Sequence, residues 1–144
     1  MQRFAMEKLV KWKEKKNRKP LIIMGARQVG KTWLMKEFGR QNYAKVAYIS
    51  FFNNNRMKEV FNMDFDIERI IMNLNIESGV SITPEDTLII LDEIQDTPKV
   101  LESLKYFYEN APQYNVVAAG SLLGVALHKD VSFPVGKVEI MDLY

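Results

Sequence analysis

Short apolar runs recur along this chain and predict buried strands. Four of them are nearly unbroken: "PLIIMG" (20–25), "KVAYISF" (45–51), "TLIILD" (87–92) and "NVVAAG" (115–120). Runs of this length without alternation are typical of strands that are covered on both faces in a parallel sheet.

Helical patterns fall between these runs. Residues 31–38 follow a glycine-containing loop and are predicted to form a helix that stops at Gly39. A second helix is predicted to end before Gly79, because apolar residues recur at the i, i+3, i+4, i+7 spacing of one helix face: Ile67, Ile70, Ile71 and Leu74.

A third helix is predicted between residues that commonly start and stop helices. Thr97 is a candidate N-cap, Pro98 suits the first helical position and Pro112 is a stop. The apolar face between these signals comprises Val100, Leu101, Leu104, Phe107 and Tyr108.

Strands alternating with helices indicate a three-layer α/β domain with right-handed crossovers. In such domains ligands bind beyond the carboxyl ends of the strands. The candidate chemistry therefore lies in residues 25–32, at Asp92 and Glu93, and at Gly120 and Ser121.

Composition narrows the class of protein. A chain of 144 residues with 47% apolar content can bury one ordinary core, and its lack of cysteine excludes disulfides, thiolate metal sites and cysteine nucleophiles. The longest apolar stretch, "VVAAGSLLGVAL" (116–127), is interrupted and well short of the roughly 20 residues of a membrane span. We expect a soluble, cytoplasmic protein without a membrane partner.

Positive charge is concentrated at the start of the chain. The first 20 residues contain eight Lys and Arg and two Glu, although the whole chain has a net charge of only +2. Phe4, Leu9 and Trp12 have roughly helical spacing, so residues 1–19 are predicted to form a basic amphipathic helix ahead of a core at 20–144. Such a segment can bind nucleic acid, but we expect the solvated face of a helix that packs on the core.

The stretch "GARQVGKTWL" (25–34) matches the phosphate-binding loop G-x-x-x-x-G-K-S/T, or Walker A motif. Its glycines let backbone N–H groups turn toward a phosphate, Lys31 can reach the β- and γ-phosphates of ATP, and the Thr32 hydroxyl can bind Mg²⁺. The predicted nucleotide-binding residues are Gly25, Ala26, Arg27, Gln28, Val29, Gly30, Lys31, Thr32 and Trp33.

The stretch "LIILDEIQ" (88–95) is an apolar strand that ends in two acids. Asp92 is predicted to hold the coordination shell of Mg²⁺, usually through water. Glu93 is predicted to polarise a water for attack on the γ-phosphate. The alternative for these two acids is an ordinary helix-capping turn, which the upstream phosphate loop disfavours.

Two other nucleotide enzymes fit poorly. A switch GTPase would have D-x-x-G at Asp92 and an N-K-x-D motif, but Gln95 stands at the fourth position and the second motif is absent. A small-molecule kinase usually closes an arginine-bearing lid, yet the last arginine is Arg69. Hydrolysis of ATP, or binding alone, fits better than transfer to a metabolite.

Ser121 ends the "VVAAGS" run and is the candidate for a polar residue that senses the γ-phosphate. The alternative, a serine that caps a helix formed by "LLGVAL", is equally compatible with the sequence. We therefore predict Glu93, Lys31 and Ser121 as the catalytic residues.

Three long segments resemble one protein family: "RKPLIIMGARQVGKTWLMKEF", "LIILDEIQDTPKVLESLKYFYE" and "VVAAGSLLGVALHKDVSFPVGKVEIMDLY". They are similar to the N-terminal ATPase domain of bacterial and archaeal AAA-type ATP-binding proteins, in which a C-terminal domain of unknown function usually follows. The resemblance implies the AAA-like strand order 5-1-4-3-2, with "GKVEIMDLY" leading into the fifth strand. It also implies the site roles given above for the loop residues, for Asp92 and Glu93, and for Ser121.

The chain departs from the family pattern at Lys137, where many relatives have arginine. We also expect that the chain is a fragment, that a C-terminal domain or a second copy completes it, and that it hydrolyses ATP slowly alone. Two alternatives stay open: a nucleotide-gated interaction module with negligible turnover, and a nucleic-acid-associated ATPase.

Overall fold

The computed structural model describes residues 2–25, 30–121 and 136–143. Its five strands are β1 (Leu21–Gly25), β2 (Lys45–Ser50), β3 (Thr87–Asp92), β4 (Asn115–Ser121) and β5 (Glu139–Leu143). Its five α-helices are α1 (Gln2–Glu14), α2 (Lys31–Asn42), α3 (Asn55–Met63), α4 (Ile67–Ser78) and α5 (Pro98–Asn110). A short 3₁₀ helix spans Ile94–Asp96.

The strands form one parallel sheet in the order β2-β3-β4-β1-β5. This confirms the three-layer α/β prediction and the strand order 5-1-4-3-2. The order places β4 between β1 and β3, so the residues that follow these three strands meet at one edge of the sheet.

Alternate residues of each buried strand face opposite layers. Ile22 and Met24 of β1 pack with α3, α4 and α5, whereas Leu21 and Ile23 pack with α1 and α2. Because both faces are covered, β1 and β3 are buried along their whole length, which explains their unbroken apolar sequence.

Helix α2 continues through Gly39, so the prediction that it stops there is wrong. The helix runs to Asn42, and a Cβ atom at Gly39 would lie 2.6 Å from Cγ2 of Val46 and 3.2 Å from Cδ2 of Leu88. The glycine allows α2 to approach the sheet closely and does not serve as a terminator.

Helix α3 was not predicted. Asn54 caps it by accepting a hydrogen bond from the backbone N–H of Met57, and Met57, Val60 and Phe61 supply its buried face. The apolar spacing i, i+3, i+4 was present in the sequence, but it extends over only one turn and is surrounded by asparagines.

The next two helices begin and end close to the predicted positions. Asp66 caps α4, and Gly79 ends it in the left-handed conformation with φ 72°. Thr97 and Pro98 occupy the predicted first positions of α5, which ends before Pro112. The Thr97 hydroxyl makes no capping bond, and its buried oxygen has no hydrogen-bond partner in the described part of the chain.

Helix α1 packs on the same layer as α2. Leu9 and Trp12 are buried, Phe4 is 63% exposed, and the indole N–H of Trp12 donates to the carbonyl of Lys19 at 2.7 Å. Several of the basic side chains contact the domain itself: Lys13 donates to the carbonyl of Asn42, and Lys15 pairs with Glu139.

No helix within the described ranges is long and apolar enough to cross a membrane. The helix expected for "LLGVAL" lies outside the described residues.

Candidate functional site

The site lies at the carboxyl edge of the sheet. Gly25 ends β1, Asp92 ends β3 and Ser121 ends β4. Gly25 and Ser121 are paired in register on adjacent strands. The topology therefore brings together three segments that are far apart in the sequence.

Gly30 joins the loop after β1 to helix α2. Its backbone has φ 77° and ψ 31°, a left-handed conformation that glycine adopts at no steric cost. This conformation directs the chain into α2, whose first residue is Lys31.

Lys31 is a buried cation held by backbone oxygens. Only 8% of the residue is exposed, and its Nζ donates to the carbonyl of Gly25 at 2.7 Å and to that of Gly120 at 3.4 Å. A buried ammonium requires such partners, since desolvation of an unpaired charge is costly. Both of these acceptors are neutral carbonyl oxygens.

Asp92 is almost fully buried, with 2% exposure. Its Oδ2 accepts from the Thr32 hydroxyl at 2.6 Å and from the Tyr48 hydroxyl at 2.7 Å, while Oδ1 accepts from the backbone N–H of Glu93 at 2.9 Å. The hydrogen bonds fix the orientation of the carboxylate.

Sequence reasoning missed Tyr48. Burial and the hydrogen bond to Asp92 raise the pKa of the Tyr48 phenol well above its ordinary value, so the phenol stays a proton donor. Lys36 lies over its ring, with Nζ 4.0 Å from the centroid. Tyr48 belongs to an apolar strand and gave no signal in the sequence, because only the pairing of β2 with β3 brings it to Asp92.

Glu93 adopts a left-handed backbone conformation, with φ 58° and ψ 47°. This conformation is uncommon for a residue with a side chain and occurs often at functional sites. The carboxylate is half-buried, and its Oε2 accepts from Nε2 of Gln95 at 2.7 Å.

Gln95 is a second polar residue that the predictions did not include. Its side-chain Oε1 accepts from the backbone N–H of Ser121 at 3.3 Å, so its amide joins the end of β4 to Glu93. Its place two residues after Glu93 was visible in "LIILDEIQ", but the 3₁₀ turn that points it back toward β4 was not.

A cavity of about 130 Å³ lies between these elements, lined by Gly30, Lys31, Thr32, Glu93 and Ser121. Two larger grooves contain none of these side chains: one of about 570 Å³ lies between the segment after α1 and the end of α5, and one of about 660 Å³ lies between α1 and β5. The small cavity is the candidate site because it combines a cation, two hydroxyls and a carboxylate on a narrow concave surface.

Among the predicted residues that do not line this cavity, Gly25 and Asp92 contact two that do, Lys31 and Thr32. Trp33 is 53% exposed in the first turn of α2. Ala26, Arg27, Gln28 and Val29 lie outside the described residues.

The described ranges contain no group of three His, Cys, Asp or Glu side chains that could hold a metal ion. Asp92 with the Thr32 hydroxyl is a suitable donor pair for a hard cation such as Mg²⁺, which commonly binds one or two carboxylates together with substrate phosphates. A metal here would need phosphate oxygens or water to complete its shell.

Comparison with known proteins agrees with this architecture. The parallel sheet, its strand order and the position of the site define the P-loop ATPase class of α/β folds. The chain belongs to the AAA domain family, which matches residues 17–144. No curated protein matches the chain significantly.

Two solved structures share the fold at low sequence identity. DnaA from Aquifex aeolicus, solved with AMPPCP bound, is 17% identical with a TM-score of 0.58; the alignment covers 99% of this chain and 46% of that one. The Drosophila ORC bound to AT-rich DNA and Cdc6 is 16% identical with a TM-score of 0.55; the alignment covers 98% of this chain and 56% of that one. The chain thus spans about half the length of these relatives.

Proposed function

We propose that this domain is a cytoplasmic Mg-ATP-binding ATPase that turns over slowly unless a further region or a partner completes its site. The observation that carries the proposal is the convergence of Lys31, Thr32, Glu93 and Ser121 on one cavity, with Asp92 hydrogen-bonded to Thr32. Membership of the AAA domain family supports the same function.

The triphosphate binds at the start of α2 in this proposal. Lys31 supplies a cation, and the first turn of the helix adds N–H groups and the positive end of its dipole. Whole small-molecule sites usually measure about 300–1,000 Å³, so the cavity of about 130 Å³ suits the phosphate end alone. Trp33 would then contact the nucleotide outside it, and Ala26, Arg27, Gln28 and Val29 would complete the phosphate loop.

Thr32 and Asp92 would hold Mg²⁺. The Thr32 hydroxyl already donates to the Asp92 carboxylate at 2.6 Å, so the two oxygens lie close enough to serve one cation. A bound Mg²⁺ would neutralise part of the phosphate charge, while Tyr48 and the Glu93 backbone keep the Asp92 carboxylate in one orientation.

Hydrolysis requires a group that orients and polarises water. Glu93 is the candidate, because its carboxylate lines the same cavity as Lys31. Ser121 lies across the cavity at the end of β4, where its hydroxyl can contact the γ-phosphate. Lys31 stabilises negative charge as it develops on the phosphate oxygens.

The transition state needs a second cation, and three arginines of the described chain are already held in ion pairs elsewhere. Arg40 pairs with Glu37, Arg56 with Glu77, and Arg69 with Asp64. Lys137 precedes β5 at the amino edge of the sheet, opposite the site, and lies 3.4 Å from Glu109.

We therefore propose that the additional charge comes from a C-terminal domain, a second copy of the chain or another protein. This is the physical basis for slow turnover of the isolated domain, since an arginine supplied in trans can raise the rate by roughly 10³- to 10⁵-fold.

Glu93→Gln tests the hydrolytic role directly. The variant should retain ATP affinity, because the amide has the same shape, and should lose turnover, because it cannot act as a base. Calorimetry and a phosphate-release assay measure the two properties separately. Undiminished turnover in Glu93→Gln would remove the assignment, whereas ATP binding with no turnover even in the wild type would favour the nucleotide-gated interaction module.

A further inference from the structure

We infer that Gln95 is a positioning residue that aligns Glu93 for hydrolysis and ties it to the end of β4. The inference rests on the proposed function of the site. It starts from the burial of Gln95, which is only 7% exposed although it lies in a short 3₁₀ turn just after the predicted catalytic acid.

The orientation of the Gln95 amide is determined by its neighbours. The backbone N–H of Ser121 can only donate, so it requires the carbonyl oxygen of the amide, and the two atoms lie 3.3 Å apart. The NH₂ group must then point the other way, where Nε2 donates to Oε2 of Glu93 at 2.7 Å. One rigid, planar group therefore contacts both β4 and the carboxylate.

Gly120 makes this contact possible. A Cβ atom at residue 120 would lie 3.2 Å from Oε1 of Gln95 and 3.3 Å from its backbone nitrogen. Both distances are tighter than an ordinary van der Waals contact, so Gln95 would have to shift by a few tenths of an ångström to admit a side chain at residue 120. The glycine and the glutamine together allow the turn after β3 to rest on β4.

The carboxylate of Glu93 needs a hydrogen-bond partner that holds it in one position. Its side chain is half-buried and has several rotatable bonds, so the left-handed backbone at Glu93 brings it to the cavity without itself fixing the carboxylate. A carboxylate that orients water must be held in place, because a misplacement of about 1 Å can cost on the order of 10²-fold in rate. The Gln95 amide supplies one fixed hydrogen bond to this carboxylate.

The same amide links Glu93 to Ser121. Ser121 lines the cavity and is the candidate contact of the γ-phosphate, so one side chain joins that contact to the carboxylate that would orient water.

Two variants of Gln95 distinguish its hydrogen bond with Ser121 from its hydrogen bond with Glu93. Gln95→Met keeps the length of the side chain and removes both hydrogen bonds. Gln95→Glu, assayed at pH 8, retains an acceptor for the Ser121 N–H but cannot donate to Glu93 when ionised. Thr97→Val is the matched control, because it changes a buried polar residue of the same loop whose hydroxyl has no partner in the described part of the chain.

Each protein is measured in two ways. Single-turnover hydrolysis with protein in excess over Mg-ATP gives the rate constant even when turnover is slow, and calorimetry gives the ATP affinity. We expect both Gln95 variants to lose about 10- to 100-fold in rate, and Gln95→Met, which adds no charge, to keep an affinity close to that of the wild type. Thr97→Val should match the wild type in both measurements.

Other results would overturn the inference. A wild-type rate in Gln95→Met, with Glu93→Gln inactive, removes the role of Gln95 and leaves the proposed function standing. A wild-type rate in Gln95→Glu alone means that the Ser121 contact matters and the Glu93 contact does not, and a parallel loss of affinity and rate indicates a merely structural role. If wild type and Glu93→Gln hydrolyse equally slowly, the proposed function fails and the inference fails with it.

Discussion

The hydroxyl of Thr32 lies 2.6 Å from Oδ2 of Asp92, although 60 residues separate the two in sequence. Thr32 is in the first turn of α2 and Asp92 is the last residue of β3, so the strand order and the start of α2 together bring them into contact. The pair joins the phosphate-loop segment to the acidic segment and so connects the two motifs on which the proposed function depends.

Thr32→Val should weaken ATP binding only when Mg²⁺ is present. The valine keeps the shape of threonine but removes the oxygen that would bind the metal, and a bond to a charged group contributes about 1.5–3 kcal/mol, or roughly 10- to 100-fold in affinity. Calorimetry with Mg²⁺ and with a chelator measures the difference. Thr32→Ser retains the hydroxyl and is the control; equal affinities of Thr32→Val and wild type in Mg²⁺ would contradict the metal assignment.

Trp12→Ala should destabilise the domain, in contrast to Phe4→Ala. Trp12 is buried against the core and donates to Lys19, whereas Phe4 is 63% exposed on the same helix. Truncation of a buried tryptophan typically costs about 3–5 kcal/mol, and an exposed substitution stays within roughly 0.5 kcal/mol. Urea unfolding of both variants measures the free energies.

Removal of residues 1–20 decides between the two interpretations of the basic segment. Because α1 covers one layer of the core, we expect the melting temperature to fall on its removal. An unchanged melting temperature, together with loss of tight and salt-sensitive DNA binding, would favour the nucleic-acid-associated ATPase instead.

The chain alone should hydrolyse ATP slowly. Its rate should rise when a second copy or another protein supplies further positive charge. The site has one buried cation in its described part, Lys31, and the phosphoryl-transfer transition state requires more positive charge. Steady-state assays over a wide range of protein concentration would detect a contribution from a second copy. Fast turnover that is independent of concentration and abolished by Arg27→Ala would contradict this expectation.

Much of the fold could be predicted because a few strong signals determine it. Buried parallel strands require unbroken apolar runs, and the bounds of β1 to β4 follow those runs closely. Gly79 ends α4 because its left-handed backbone suits glycine. Gly39 shows the limit of such reasoning, since the same residue type here serves a close approach to Val46 that only the packed structure reveals.

The sequence indicates those residues of the candidate site that stand in recognisable short motifs. Lys31, Thr32, Asp92 and Glu93 stand in short motifs, and the structure places their side chains together. Tyr48 and Gln95 could not be predicted in the same way, because their roles arise from pairing with neighbouring strands and from a 3₁₀ turn. Polar residues that orient others depend on tertiary contacts and leave little trace in local sequence.

The most direct test of the account is calorimetric titration of Mg-ATP into wild type, Lys31→Ala and Lys11→Ala. Lys31 is buried at the cavity, whereas Lys11 is exposed on α1, so the two substitutions remove the same charge from different places. The account predicts wild-type affinity for Lys11→Ala and a loss of roughly 10- to 100-fold or more for Lys31→Ala, because a bond to a charged group is worth about 1.5–3 kcal/mol. Equal affinity of Lys31→Ala and the wild type would contradict it.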